Sequence, residues 1–297
     1  MNVLIIGNGS IGKQHTSSVL HLGYHPIVLT NYPTPSDKVT YISSLKDVSI
    51  TNFAIICTPT SNHLNDFKAI IELTQIKNVL IEKPITSNTT DGLKLAQLAN
   101  KNNINVYVAF DMRFIEKLAY VKQHLHKIEK RIRLVKIHCG QYLPEWRPGT
   151  DYRKSYSSDI LKGGGVDLDL THEIDYMNWL FGMPKKTMFS TAIKISTLEI
   201  NSPDYFKGLY EYPSFLVDLE LDYFRKADRK LEIIGENEVL VKLDFISGTL
   251  QFDGQNIEID QNTKPIIKED HAFLTQQKGS SLCTIEESLQ VLKLIKK

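Results

Sequence analysis

Cysteine is scarce in this chain. Cys57, Cys139 and Cys283 are the three among 297 residues, they are far apart, and none falls in a C-x-x-C pair. That excludes a disulfide framework and argues against a zinc site, and it fits a reducing cytoplasm. Long apolar runs are missing as well: none approaches the ~20 residues needed to span a bilayer. The first residues read as a strand, so no signal peptide is expected. Nor is there an excess of charge. The formal net charge is +1, and the most basic stretch, Lys127 to Lys136, is interrupted by Ile128, Glu129, Ile132 and Leu134. Neither nucleic acid nor a membrane surface is therefore expected as a partner. Internal repeats and low-complexity segments are absent. What remains is a chain with 42% hydrophobic residues, enough for sizeable cores, and a length that suits two modest domains.

The first ~115 residues alternate short apolar runs with helical periodicity, the pattern of a parallel sheet covered on both faces. Strands are expected at Val3–Ile6, Ile27–Thr30, Phe53–Cys57, Val79–Ile81 and Val106–Ala109. Helices are expected at Ile11–Leu22, Ser61–Leu73 and Asp91–Asn100. After Phe114 the pattern changes. A helix from Ile115 to about Lys127 leads into a strand at Leu134–Gly140, then a polar aromatic segment, then one helix over Leu168–Phe181. Beyond it Phe215, Val217, Leu219, Leu221 and Tyr223 alternate with Asp218, Glu220 and Asp222, and Val239, Val241, Leu243 and Phe245 repeat the alternation. Period two with one apolar face predicts an antiparallel sheet that leaves its other face open. Ile285–Ile295 reads as a closing helix. The expected fold is an α/β Rossmann domain with a doubly wound parallel sheet over 1–115. It is followed by an α+β domain over 116–297 with an open-faced, mainly antiparallel sheet.

Val3-Leu4-Ile5-Ile6 runs directly into Gly7-Asn8-Gly9-Ser10-Ile11-Gly12. In a G-x-G-x-x-G turn between strand and helix, the first glycine permits the tight turn. The second lets a pyrophosphate approach the backbone, and the third lets the helix pack close to the strand. The free N–H groups of the helix start, including those of Ser10 and Ile11, then face the phosphates. Dinucleotide enzymes that prefer NAD usually place an acid after the second strand for the ribose 2′-hydroxyl. Here Thr30 and Asn31 stand there, and neither Asp nor Glu occurs before Asp37. No arginine stands nearby to receive a 2′-phosphate, so the cofactor is expected to be NAD or NADP without a choice between them.

In an open parallel sheet, ligands sit beyond the C-terminal strand ends. Those ends deliver Thr58-Pro59-Thr60-Ser61-Asn62-His63, Glu82-Lys83-Pro84 and Phe110-Asp111-Met112-Arg113-Phe114. Lys83 could polarise a substrate hydroxyl or carbonyl, or it could be a surface lysine paired with Glu82. Thr58 and His63 line a cofactor or cap the next helix, with Ser61 or Asn62 as its N-cap. His15, in the first turns of the first helix, reads as a structural hydrogen-bonder.

A second constellation follows Gly163-Gly164-Gly165. On a single helix Leu170, Ile174, Met177 and Phe181 make one apolar stripe, while Asp169, His172, Tyr176 and Trp179 lie on the far side. Asp169 could orient the imidazole of His172 for acid–base work. A buried, satisfied histidine and a metal pair are the alternatives, and no third metal ligand stands at the usual spacing. Asp167 is a second candidate partner. Upstream, Trp146, Arg147, Asp151, Tyr152, Arg153 and Tyr156 fall in one loop. Aromatic platforms with guanidinium forks suit sugars or phosphorylated sugars, and also suit a packing loop.

Taken together, Gly7-x-Gly9-x-x-Gly12-x-x-His15, Thr58-Pro59 with His63, Glu82-Lys83-Pro84, Arg113-Phe114 and Gly163–Gly165 leading to Asp169 and His172 resemble the Gfo/Idh/MocA family of nicotinamide-dependent oxidoreductases. The resemblance covers most of the chain. Its Trp146–Tyr156 loop and the Asp-x-x-His spacing resemble members linked to bacterial surface-sugar synthesis. The family places three residues between the Asp and the His in many members, whereas only Leu170 and Thr171 intervene here. The resemblance implies hydride transfer between nicotinamide and a sugar carbon. Lys83 would touch the reacting hydroxyl and the cofactor, His172 would be the acid/base and Asp169 would stand beside it. It also implies cofactor contacts by Gly7, Gly9, Ser10, Ile11, Gly12, Thr30, Asn31, Thr58, Pro59, His63, Glu82 and Arg113. The open sheet is implied as the surface of a homodimer or homotetramer. A non-catalytic NAD(P)-binding regulator and a reductase of a non-sugar ring are the competing expectations.

Overall fold

A computed structural model describes residues 1–295. In chain order the first segment holds β1 (Asn2–Ile6), α1 (Ser10–His21), β2 (His25–Leu29), β3 (Thr40–Ile42), β4 (Phe53–Ile56), α2 (His63–Leu73), β5 (Asn78–Glu82), α3 (Thr89–Asn102) and β6 (Asn105–Ala109). Local chemistry sets several of these bounds. Asn88 starts α3 by accepting the backbone N–H of Asp91 through its side chain, and Asn103 stops it in a left-handed conformation at φ 53°. The apolar strands Val3–Ile6 and Phe53–Ile56 are buried along their whole length, as strands covered on both faces must be.

The second segment holds α4 (Glu116–His124), β7 (Leu134–Gly140), α5 (Val166–Asp169), α6 (Thr171–Phe181), β8 (Lys186–Ile193), β9 (Tyr205–Glu211), β10 (Leu216–Asp222), β11 (Asp228–Ile234), β12 (Val239–Asp244), β13 (Thr249–Phe252) and β14 (Gln255–Asn256). The last holds α7 (Pro265–Leu274), β15 (Cys283–Thr284) and α8 (Ile285–Ile295). No helix among the described residues is long and apolar enough to cross a membrane.

The chain divides into two units, Met1–Phe114 with Asn262–Leu289, and Ile115–Gln261 with the residues from Gln290 on. The division expected from the pattern, 1–115 and 116–297, is corrected here, because the chain returns to the first unit for Asn262–Leu289. The reason is apolar: Ala272, Phe273, Leu274 and Leu282 join Val3, Ile5, Val28, Ile55 and Leu80 in one buried cluster. Each such fully buried Leu, Ile or Phe contributes about 1.5–3 kcal/mol.

The first unit carries a seven-stranded sheet in the order β15-β6-β5-β4-β1-β2-β3. All its pairs are parallel except β15 on β6. The C-terminal ends of β1, β4, β5 and β6 therefore lie side by side on one edge, as the sequence pattern predicts.

The second unit carries an eight-stranded sheet, β14-β13-β12-β11-β7-β10-β9-β8. Only β7 and β10 pair in parallel; β11 and β9 flank them antiparallel. Ile137 stands between Leu219 and Leu231 across the ladders, and all three are buried. The opposite face carries interlocked charges. Lys207 reaches Asp218 at 2.5 Å and Glu220 at 3.3 Å. Asp222, expected on this wetter face, is instead fully buried. Its carboxylate accepts the Arg225 Nε–H at 2.6 Å and the backbone N–H groups of Phe224 and Arg225 at 3.1 and 2.8 Å.

The single helix expected over Leu168–Phe181 is two helices. Leu170 leaves helical geometry at φ −99°, ψ 35°, and the Thr171 hydroxyl donates to Leu168 O at 3.2 Å, satisfying a carbonyl at the break. Asp169 and His172 thus belong to different helices, and Tyr176, expected on the side away from the apolar stripe, is fully buried.

Candidate active site

The glycine turn leaves β1 for α1 with three different steric environments. A Cβ on Gly12 would stand 2.2 Å from Gly7 O, and one on Gly7, whose φ is +106°, would stand 2.9 Å from Cys57 O. Neither position can carry a side chain. A Cβ on Gly9 would meet nothing within 4 Å, so the fold does not require glycine there. The openness above Gly9 is at the mouth of α1, whose first turn contains no acid. Asn8 Nδ2 donates to Tyr32 O at 2.9 Å, tying this turn to the segment after β2. Thr30 accepts the Tyr32 N–H at 3.0 Å through its Oγ1, and Asn31 is exposed.

After β4, Thr58 Oγ1 donates to Asp66 at 2.5 Å and Pro59 is exposed. His63 is buried, with Nδ1 against Ile85 O at 3.1 Å and Nε2 against Thr58 O at 2.9 Å. Burial pushes its pKa down. It joins the segment after β4 to the segment after β5. Asn62 holds the N-cap position of α2 without a side-chain bond. Arg113 is also buried and pairs with Glu287 at 3.1 Å. His63, expected to line the cofactor or cap α2, and Arg113, expected at the cofactor, thus make these bonds within the first unit.

The end of β5 is more elaborate. Glu82 accepts the backbone N–H of Lys83 at 3.1 Å through Oε2, while its Oε1 lies 3.0 Å from His15 Nε2. The other ring nitrogen of His15 lies 2.8 Å from Asp270 Oδ1 on α7. His15 is the structural hydrogen-bonder expected from its position. Burial alone would lower its pKa, but the charge of Asp270 and the hydrogen bonds of Asp270 and Glu82 outweigh this and hold it well above the ordinary histidine value. Next to Asp270, Glu269 is buried with no hydrogen-bond partner for either carboxyl oxygen. Burial, then the charges of Asp111, Glu82 and Asp270, push its pKa well up. Neither Asp270 nor Glu269 stood out in the sequence, because charged residues on a short helix read as solvated.

In the second unit, Asp169 is buried and accepts the Tyr223 hydroxyl. The hydroxyl of Tyr156 also bonds Asp169, and burial, then the Asp169 charge, raise the pKa of both phenols. The six loop residues expected at a substrate separate into two sets. Arg147 stacks its guanidinium 5.3 Å from the Tyr156 ring and Trp146 stands 5.9 Å from the Tyr223 ring, so these reach the Asp169 cluster. Asp151 and Arg153 instead pair with each other at 2.8 Å, and Arg153 and Tyr152 both meet Glu199. His172 lies half-buried at the start of α6, and Asp167 is buried on α5. Tyr223 was legible only as the last apolar residue of an alternating strand; nothing in the pattern marked its hydroxyl.

Among the described residues one group, His138, Glu220 and Asp222, has metal-ligand spacing. The Arg225 guanidinium already sits on Glu220 and, at 2.6 Å, on Asp222.

Comparison with known proteins bears on this arrangement directly. The family description "Oxidoreductase family, NAD-binding Rossmann fold" matches residues 1–110, and "GFO/IDH/MocA C-terminal domain" matches residues 131–241. The chain belongs to the Gfo/Idh/MocA family of NAD(P)-dependent oxidoreductases. An uncharacterised oxidoreductase of Synechocystis sp. is 29% identical over 122 residues, 40% of this chain, and the match spans 32% of that protein's length. A scyllo-inositol 2-dehydrogenase (NADP(+)) of Bacillus subtilis is 24% identical over 85% of this chain and 79% of its own. Among solved structures, the WlbA dehydrogenase of Bordetella pertussis, in complex with NADH and UDP-GlcNAcA, superposes with a TM-score of 0.79 at 15% identity, covering 99% of this chain and 94% of that one.

A Gfo/Idh/MocA protein must hold a dinucleotide, and the first unit fits one. The open space over Gly9, the uncapped start of α1 and its acid-free first turn suit a pyrophosphate. Gly9, Ser10 and Ile11 would hold it through backbone N–H groups. Thr30 and Asn31 follow the end of β2, and Thr58 and Pro59 follow the end of β4. The cofactor is NAD or NADP.

Proposed function

We propose that this chain transfers a hydride between nicotinamide and a hydroxyl- or carbonyl-bearing carbon of a sugar or sugar nucleotide, with Lys83 and His172 acting on the substrate oxygen. The observation that carries the reading is the position of Lys83. It follows β5 on the same sheet edge as the glycine turn, with β4 between them, and its backbone is held by Glu82. A bound nicotinamide supplies the hydride acceptor or donor. The Lys83 ammonium donates to the reacting oxygen and stabilises charge that builds there. His172 takes or returns the hydroxyl proton, a contribution of typically about 10²–10⁴ in rate. Asp169, held by Tyr223 and Tyr156, belongs to the same chemistry as a fixed carboxylate.

The sugar class is supported by the relative solved with UDP-GlcNAcA; scyllo-inositol, for which another relative is named, is a cyclic polyol and belongs to the competing reading of a non-sugar ring. The Trp146, Arg147 and Tyr156 cluster adds an aromatic platform and a cation, which suit a nucleotide-linked sugar of the kind used in surface polymers. The open, charged face of the second sheet is proposed as the contact of a homodimer or homotetramer.

The test is nicotinamide absorbance with NAD(H) and NADP(H), each offered scyllo-inositol, hexose phosphates and UDP-N-acetylglucosamine or its uronate. One pair is expected to turn over, and Lys83→Ala and His172→Ala are each expected to slow it by about a hundredfold or more. Full turnover in both variants overturns the residue assignment. Absence of nicotinamide binding overturns the function, and binding without turnover on any pair favours a regulator.

A further inference from the structure

We propose that His15 and Asp270 are positioning residues for Lys83: the imidazole, gripped by Asp270, fixes the Glu82 carboxylate, and that carboxylate fixes the Lys83 backbone. The inference rests on the reading of Lys83 as the residue at the reacting oxygen, and extends it to a chain of contacts that reaches through the first unit.

The geometry is continuous. Asp270 Oδ1 and Oδ2 lie 2.8 and 3.1 Å from His15 Nδ1. His15 Nε2 lies 3.0 Å from Glu82 Oε1, and Glu82 Oε2 accepts the Lys83 N–H at 3.1 Å. A carboxyl group faces each ring nitrogen, and with its pKa held well above the ordinary histidine value the ring is the imidazolium, donating from both nitrogens. Charge-assisted bonds of this kind are about twice as strong as neutral ones. The side chains of His15 and Asp270 are fully buried and that of Glu82 is 13% exposed, so water does not compete at the inner end. Cys57, Glu269, Asp111 and His63 are titratable groups that also face this cluster.

Three separate elements supply the three groups: α1, β5 and α7. Asp270 is 255 residues from His15 in sequence. A purely structural histidine needs only to fill space and satisfy its nitrogens. This one spends its outer nitrogen on the carboxylate that holds the next residue's amide, and that residue is Lys83. The second oxygen of Glu82 converts the position of α7 into the orientation of the strand end. Misplacing a reacting group by about 1 Å can cost a hundredfold in rate, so such a tether has a kinetic consequence distinct from stability.

The experiment uses the full chain carrying Asp270→Asn, which keeps the volume and removes the charge. Three quantities are compared with the unaltered protein: hydrogen exchange of the Lys83 amide, hydrogen exchange of the Leu80 amide in the middle of β5, and NADH affinity. Lys83 exchange is expected to rise about tenfold or more, while Leu80 exchange and NADH affinity change less than about twofold. With the cofactor and sugar pair that turns over, kcat is expected to fall about tenfold with KM little changed. Unchanged exchange at Lys83, or a rise shared equally by Leu80, overturns the proposal. Should Asp270→Asn fail to fold, Glu82→Gln carries the test. Its single amide oxygen can serve either His15 or the Lys83 N–H, so the same selective rise at Lys83 is expected, and its absence overturns the proposal. Lys83→Ala run alongside separates the two readings. If it turns over normally, the assignment of Lys83 to the chemistry fails, while the exchange measurement still decides whether His15 and Asp270 hold its backbone.

Discussion

The Tyr223 hydroxyl donates to the carboxylate of Asp169, joining the end of the β10 strand to the short helix α5 across 54 residues of sequence. Both side chains are buried, so the bond is not shared with solvent. Removing it with Tyr223→Phe leaves the ring in place beside Trp146 and takes one donor from a buried carboxylate. A loss of this kind costs about 1–3 kcal/mol. We expect Tyr223→Phe to fold with its second sheet intact and to lose that amount of unfolding free energy, seen as a lower urea midpoint at constant m-value. Urea unfolding checks it, and an unchanged midpoint would show that the bond contributes nothing to the fold.

The glycine turn gives a sharper contrast between stability and binding. Gly12→Ala must push a Cβ into Gly7 O, whereas Gly9→Ala points one into open space. Gly12→Ala is expected to destabilise the first unit strongly. Gly9→Ala is expected to melt like the unaltered protein yet bind NADH about tenfold or more weakly, about 1.4 kcal/mol, because the added methyl takes the space of the pyrophosphate. Calorimetry of NADH binding alongside thermal melts separates the two effects. Equal NADH affinity in Gly9→Ala would place the dinucleotide elsewhere.

These contrasts also mark how far the sequence could be read. Gly7 and Gly12 announce their turn because the left-handed φ of Gly7 and the close approach of Gly12 to Gly7 O are local. The parallel strands are legible because burial on both faces leaves continuous apolar runs. The helix α7 was missed because Glu269 and Asp270 look solvated on a short segment, and their partners lie at the other end of the chain. The break at Leu170 was missed because a single residue leaves helical geometry without a glycine or proline to mark it. His63 and Arg113 sit at strand ends where ligands are met, yet their own hydrogen bonds turn them inward. Sequence position specifies the edge of the sheet, whereas the direction a side chain takes from that edge depends on partners 22 and 174 residues away.

We propose Thr30 as the residue that meets the ribose 2′ position of the cofactor. It follows β2, already accepts the Tyr32 N–H through its side chain, and no acid precedes Asp37. Thr30→Asp retains an acceptor for Tyr32 and adds a carboxylate where the ribose 2′ position is met. We expect it to weaken NADPH relative to NADH by about tenfold or more through repulsion of the 2′-phosphate. Fluorescence titrations with both reduced cofactors check this. No change in their ratio would remove Thr30 from the ribose contact.

Glu269 links the buried cluster to pH. Its folded-state pKa is raised well above the ordinary value by burial and then by Asp111, Glu82 and Asp270, and His15 is raised as well. In the unfolded chain a glutamate titrates near ~4.3. Below that pH Glu269 is protonated in both states and has no differential effect. As pH rises above it, the unfolded chain loses a proton that the folded chain keeps. Stability therefore falls with pH until the folded pKa is passed. His15 acts in the same direction over a higher window. Its contribution is complete below about 6.5, the unfolded histidine value, and is lost as pH rises through its raised folded pKa. Glu269→Gln removes the first effect while keeping the shape and a neutral group. The variant is expected to match the unaltered protein near pH 4 and to become progressively more stable than it between about pH 5 and 8. Thermal melts across that range measure the gap, and a gap independent of pH would mean that Glu269 is not held protonated in the folded chain.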